Sequence, residues 1–267
     1  MTRQEYLDSL GLNSEQAEAK STTLTMGRSS NGKRHLMETA KTVDHFADGY
    51  MHKVKDQGQC GSCWAFGANT TLEGTIAKKT NSAPVRISEQ ELVDCSYSSA
   101  ANIEEFDKDY DNWGCMGGWM SSAWDFQIDN GFMLDSDYPY FSGDTGSHGD
   151  CKHKKDKING KTHSYGQITT TVSDMKAKAM FQPLSVALDA SSSTFQFYSS
   201  GVVKQGDGCG DWLNHAVVIV GYTDEDEEND DNDDNDNDEE EEEEEQDDEE
   251  EEEEDDGGSI NILMKVH

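Results

Sequence analysis

The chain has 267 residues with 21 Lys and Arg against 56 Asp and Glu, a formal charge of −35, and room for one large or two small domains. Of the 33 residues from 224 to 256, 28 are acidic, so the rest of the chain is an ordinary mildly acidic globule with no basic face for nucleic acid. The longest purely aliphatic run, Ala216 to Val220, is far too short to span a membrane. Taken in chain order, residues 1–41 are polar, rich in Ser, Thr and Lys, and lack the basic-then-apolar pattern of a secretory signal. Cys63 to about Lys79 reads as a buried helix anchored by Trp64, Phe66, Leu72 and Ile76. Ser88-Glu89-Gln90-Glu91 is a capping-box pattern opening a short helix. Trp119 to Asn130 reads as another helix, with Ala123, Trp124 and Phe126 inward and Gly131 placed to end it. After Cys151 the texture changes. Gln167 to Val172 is β-rich, Ser173 can cap a helix through Phe181, and Pro183 opens an apolar strand over Leu184–Leu188. Phe195 to Tyr198 and Gly201 to Val203 suit a turn and a strand, and His215 to Tyr222 reads as a central strand. The acidic run, residues 224–256, has almost nothing apolar to bury and repels itself, which predicts a disordered, solvated segment. Its clustered carboxylates are also hard oxygen ligands for calcium, although no spaced calcium loop is present. Residues 257–267 end in an apolar stretch, Ile260 to His267.

The chemistry concentrates in Gln57-Gly58-Gln59-Cys60-Gly61-Ser62-Cys63-Trp64-Ala65-Phe66 and in Asn214-His215-Ala216. The first offers a thiol at a helix start, and the second an imidazole about 150 residues later. A nucleophilic thiol needs a means of becoming thiolate and a base to shuttle its proton. A helix N-terminus supplies partial positive charge, and an imidazolium supplies more. Taken singly, Cys63 reads as a buried structural cysteine and His215 as a core histidine; the motif around each tips the reading to function.

Gln57 to Phe66 resembles the nucleophile segment of the papain-like cysteine peptidases, in their cathepsin L-like branch. The resemblance runs in order through Thr42-Val43-Asp44 to Gly49-Tyr50, Val54-Lys55-Asp56, Ile87 to Cys95, Gly114-Cys115-Met116-Gly117-Gly118, Tyr138-Pro139-Tyr140, Pro183 to Leu188 and His215 to Tyr222. It implies an α+β, two-lobed fold over residues 42–223. Residues 42–150 would form a mainly helical lobe and 151–223 a mainly β, barrel-like lobe, with the active site in the cleft between. Met1-Thr2-Arg3-Gln4-Glu5-Tyr6-Leu7 with Leu10-Gly11 resembles the end of the family's inhibitory propeptide, so residues 1–41 are expected to be a propeptide remnant; a plain polar helix start is the alternative.

The resemblance implies a role for each matching residue. Cys63 is the nucleophile, His215 the acid and base, and Gln57 an oxyanion donor beside the Cys63 backbone N–H. Gly61, Ser62, Gly117 and Gly118 line the substrate cleft, the glycines letting a peptide backbone lie close. Trp119, Met120, Ala187, Leu213 and Asn214 form the side-chain pocket, whose mostly apolar character predicts a hydrophobic residue two positions before the cut. Disulfides would join Cys60 to Cys115 and Cys95 to Cys151; spacing alone leaves fifteen pairings open. No metal or cofactor is implied. The implied partners are a peptide or protein substrate, the chain's own propeptide and cystatin-like inhibitors, with no nucleic acid or membrane, a monomeric state, and a lysosomal, vacuolar or extracellular location. Asn69-Thr70-Thr71 fits the glycosylation pattern but lies inside a predicted core helix.

Three departures stand out. The 19 residues between Cys95 and Cys115, with Glu104, Glu105, Asp107, Asp109 and Asp111, exceed the family's usual length and read as a surface loop. The acidic run is a second insertion. The family's Asn-Ser-Trp-Gly segment, which orients the histidine, does not occur, and Asn261 is poorly placed to substitute. Cys209 would then lack its usual partner, and 257–267 would be a truncated strand. The expectation is an impaired imidazole in a β lobe short of strands. A peptide- or inhibitor-binding homologue, or an incomplete gene product, is the alternative to an active endopeptidase.

Overall fold

The computed structural model describes residues 42–203, 207–224 and 260–265, with the backbone path alone for 224 and 260–265. The expectations for residues 1–41 and for most of the acidic run lie outside the described residues.

Strand β1 is Thr42–Asp44 and helix α1 is Cys63–Thr80. Helices α2, Glu89–Cys95, and α3, Ala100–Phe106, lead to a 3-10 turn at Gly114–Met116 and to α4, Met120–Asn130. A short α5, Ser142–Thr145, and a 3-10 turn at Lys155–Lys157 precede α6, Val172–Ala179. Then come β2, Leu184–Leu188, a one-turn α7, Ser193–Gln196, β3, His215–Asp224, and β4, Ile260–Lys265. The arrangement is α+β, with helices first and an open antiparallel sheet gathered around β3.

Val218 and Ile219 pair with both β2 and β4, while Gly221 to Thr223 pair with both β1 and β4. Strands β1 and β2 therefore follow one another along one edge of β3, and β4 lies along the other. The β3–β4 register slips between Ile219 and Gly221, a bulge that breaks the two-residue alternation. This accounts for Ile219 and Tyr222, an odd number apart, sharing one apolar cluster with Val43, Ala179 and Leu184. The main core unites Trp64, Ala65 and Ala68 of α1 with Leu92, Val93, Ala123, Phe126, Met133 and Ala216. Helix α1 is buried on nearly all sides, so its apolar residues show no single stripe. Trp64 and Phe66 are buried as expected, whereas Leu72 and Ile76 are half-buried. Asn69 is buried and accepts from Gln127 Nε2 at 2.8 Å, so it is no glycan acceptor in this fold.

Local expectations fail where side chains compete with backbone propensity. The Gln167–Val172 segment forms no strand. Its Thr171 caps α6 instead, accepting from Asp174 N–H at 3.3 Å, and thereby takes the role expected of Ser173. Gly201 to Val203 likewise forms no strand, and Ser193–Gln196 is helical. Only half of the capping box forms. Ser88 Oγ accepts from Glu91 N–H at 3.0 Å, but the Glu91 carboxylate turns away to accept from Met133 N–H at 2.7 Å and to face His153 Nδ1 at 2.7 Å. The stretch between Cys95 and Cys115 is more than a surface loop. It holds α3, its Asn102 amide donates to Asp94 O at 2.7 Å, and Phe106 and Tyr110 pack edge-on against Phe126 at 5.2 Å.

One charged group sits inside this core. Lys55 Nζ donates to Glu73 Oε1 at 2.7 Å and to Glu89 Oε1 at 2.5 Å, with all three side chains at most 5 % exposed. Two carboxylates thus share one ammonium. Burial holds both above the ordinary carboxylate value of 4.5 against the pull of Lys55, Glu89 at about 7. A carboxyl that keeps its proton longer in the folded chain than in the unfolded one makes folding less favourable as pH rises between the two values. Stability is therefore expected to fall from about pH 4.5 to about pH 7 on account of this group, and Glu89→Gln should flatten that slope. Guanidinium midpoints across the interval provide the check; a slope that Glu89→Gln leaves intact would reject the assignment.

Candidate active site

Cys63 opens α1 at the point where the helix meets β3. The thiol is fully buried. Burial pushes it up to about 12, while backbone groups of Ala216, Trp64 and Cys63 itself pull the other way. The helix start alone does not make a thiolate here, because desolvation of the charged form outweighs it. Ala216, the backbone partner of the thiol, directly follows His215, which is 3 % exposed. His215 pairs in register with Leu188 of β2, and its ring meets the edge of Phe195 with centroids 6.4 Å apart.

The loop before α1 is held from three directions. Gln57 is buried, and its Nε2 donates to Cys60 O at 2.9 Å. Tyr140 Oη donates to Gln57 O at 2.8 Å and lies 2.8 Å from Ser62 Oγ. Tyr140 therefore clamps two points of the loop that leads into Cys63, a role that the Tyr-Pro-Tyr motif signalled only as a motif. The Cys60–Cys115 disulfide and the 3.0 Å bond from Gly61 N–H to Cys115 O tie this loop to Gly117 and Gly118. The second disulfide, Cys95–Cys151, is the other expected pair, and Cys63 and Cys209 are in no disulfide.

Gly117 has φ 121, in the region that favours glycine. A Cβ on Gly118 would stand 2.6 Å from Asn112 Oδ1 and 2.7 Å from the Trp64 indole, so packing inside the protein already demands a glycine there. Trp119 caps α4, and its N–H donates to Asn112 Oδ1 at 2.9 Å. Of the expected pocket residues, Met120 and Ala187 join Cys63 and Ala216 in one apolar cluster. Trp119 and Leu213 are not part of it, Trp119 being half-buried and Leu213 37 % exposed. Asn214 is turned toward the backbone, its Oδ1 accepting from Ala190 N–H at 2.9 Å. Among the described residues no group of His, Cys, Asp and Glu could hold a metal ion, and no helix is long and apolar enough to cross a membrane.

The sequence pattern described as "Papain family cysteine protease" matches residues 39–233. The chain belongs to that family. It is 40% identical over 190 residues to procathepsin L of Rattus norvegicus, covering 70% of this chain and 52% of that one. To vignain of Vigna mungo it is 45% identical over 186 residues, covering 68% and 46%. The chain thus spans about half the length of these curated relatives. Among solved structures, digestive procathepsin L 3 of Tenebrio molitor larval midgut superposes with a TM-score of 0.64 at 30% identity, over 85% of this chain and 66% of that one. Both disulfides pair as the family resemblance implied. Asp189 and Phe195, both close to His215, were given no role by the sequence. Polar contacts between loops that are far apart in sequence leave no local pattern.

Proposed function

We propose that this chain is the body of a cysteine endopeptidase that cleaves peptide bonds through a thioester on Cys63. The observation that carries the reading is the meeting of Cys63, at the start of α1, with Ala216 beside His215, on the same apolar cluster as Met120 and Ala187. In this reading the imidazole takes the thiol proton, and the ion pair offsets the burial that otherwise holds the thiol neutral. Sγ attacks the scissile carbonyl carbon, and the departing amine takes the proton from His215. Water then adds to the thioester with His215 as base, releasing the acid and restoring the thiol. Gln57 would donate to the oxyanion. Its amide nitrogen carries two hydrogens, so anchoring to Cys60 O and donation are compatible, and such a donor is worth roughly 3 kcal/mol.

The partners proposed are a peptide or protein substrate, the chain's own propeptide and cystatin-like inhibitors, acting on a monomer in a lysosomal, vacuolar or extracellular setting. Comparing fluorogenic peptides with Phe, Leu or Arg two positions before the cut tests the pocket. Phe and Leu are expected to be turned over at least about tenfold faster than Arg, and an Arg preference would sink the pocket assignment. The second reading, a peptide- or inhibitor-binding homologue, draws on the burial that pushes the Cys63 thiol up to about 12. Tight peptide binding without cleavage, by a chain whose Cys63 still alkylates, would decide for it.

A further inference from the structure

Asp189 follows β2 directly and collects hydrogen bonds from two segments. Its Oδ1 accepts from Ser191 N–H at 2.8 Å, from the Ser191 hydroxyl, and from Asn214 Nδ2 at 2.9 Å. Its Oδ2 accepts from Trp212 N–H at 3.2 Å. A carboxylate only accepts and the Ala190 N–H only donates, so the Asn214 amide has one orientation that satisfies both. The Asn214 N–H adds a bond to Leu188 O at 3.1 Å. Gly210 passes so near that a Cβ there would lie 2.0 Å from Asp189 Oδ2. The irregular approach to β3 is thus fastened to the exit of β2 by one carboxylate. His215 is the next residue after Asn214 and is paired with Leu188, the residue before Asp189.

We propose that Asp189 is a positioning residue for His215: through Asn214 and the Trp212 backbone it fixes the segment that presents the imidazole to Cys63, and with it the Leu213 wall of the pocket. The inference deepens the peptidase reading and rests on it. Phe195 meets the His215 ring directly, whereas Asp189 acts one residue away, on Asn214. Partial burial raises the carboxyl, but the bonds from Ser191, Asn214 and Trp212 outweigh it and hold the group below the usual carboxylate range. The charge is therefore present throughout the range in which a thiolate–imidazolium pair would act.

The test uses the full chain with Cys209→Ser, so that Cys63 is the thiol followed, and reads alkylation by iodoacetamide from pH 4 to 9 beside the guanidinium midpoint. Asp189→Asn and Asp189→Ala are expected to slow the reaction of Cys63 at pH 6 about tenfold or more, since small displacements of a reacting group cost this much. Gly210→Ala should act in the same direction with the carboxylate still present. The exchange Asp189→Asn with Asn214→Asp restores a carboxylate–amide pair but sets the new amide nitrogen at position 189 against the N–H of Ser191 or Trp212, so it should recover only a small part of the rate. Variants that lower the midpoint but leave the pH–rate profile of the folded protein unchanged would overturn the inference, because a purely structural residue behaves in that way. If the parent itself reacts like an ordinary thiol, the peptidase reading fails and this inference falls with it. A reactive parent with indifferent variants removes the inference alone.

Discussion

His215→Ala is expected to slow alkylation of Cys63 at pH 6 at least about 100-fold, while the folded chain keeps its guanidinium midpoint to within about 1 kcal/mol. An ordinary thiol with a pKa of about 8.5 is only about 0.3% thiolate at pH 6. Cys63 starts further back, because burial pushes it up to about 12. The backbone groups of Ala216, Trp64 and Cys63 pull the other way and do not suffice. The remaining source of positive charge in the proposed site is the imidazole one residue from Ala216. Stopped-flow alkylation of the two chains at pH 6 and pH 9 is the measurement. The ratio of rates should be large at pH 6 and shrink at pH 9, where a thiol without its partner begins to ionise. Equal rates at pH 6 would mean that the thiol and the imidazole do not form a pair, and the endopeptidase reading would lose its chemistry.

Lys55→Met is expected to destabilise the fold by about 3–5 kcal/mol at pH 8 and by much less near pH 4.5. The substitution keeps the apolar stem and removes the ammonium that Glu73 Oε1 and Glu89 Oε1 share at 2.7 and 2.5 Å. Two buried carboxylates then face each other unneutralised. At low pH both can take up protons, and the cost largely disappears. Glu73 also accepts from Ile87 N–H at 2.8 Å, so the network joins α1 to the start of α2 and its loss should be felt by both. Adding Glu89→Gln to Lys55→Met should recover part of the loss at pH 8. Urea midpoints of the parent, the single and the double variant at the two pH values are sufficient. A loss under 1 kcal/mol at pH 8, or one independent of pH, would contradict a buried triad.

The residues most legible in the sequence are those whose chemistry requires a fixed local pattern. Cys63 must open a helix, Gly117 must adopt φ 121, Gly118 must lie against Trp64, and the β3 residues must form a buried apolar run. Periodicity located α4 and β3, whose buried faces dominate their composition, whereas α1 was located by its apolar anchors. The short elements were less legible. Thr171 and Asp174 converted a Thr-rich, β-prone stretch into a helix start, and the insertion after Cys95 folded a helix into the core through Phe106 and Asn102.

The sequence by itself determined the family, the two disulfides implied by the resemblance, and an acidic run too polar to bury. Each of these depends on residue identity at close spacing, or on composition. The tertiary structure alone decided that burial pushes the Cys63 thiol up, that two buried carboxylates share Lys55, and that Asp189 fastens the approach to His215. Such effects arise from groups 18 to 34 residues apart around Lys55 and 23 to 25 around Asp189. Desolvation and hydrogen bonding depend on what surrounds a group in space, and no spacing along the chain encodes that.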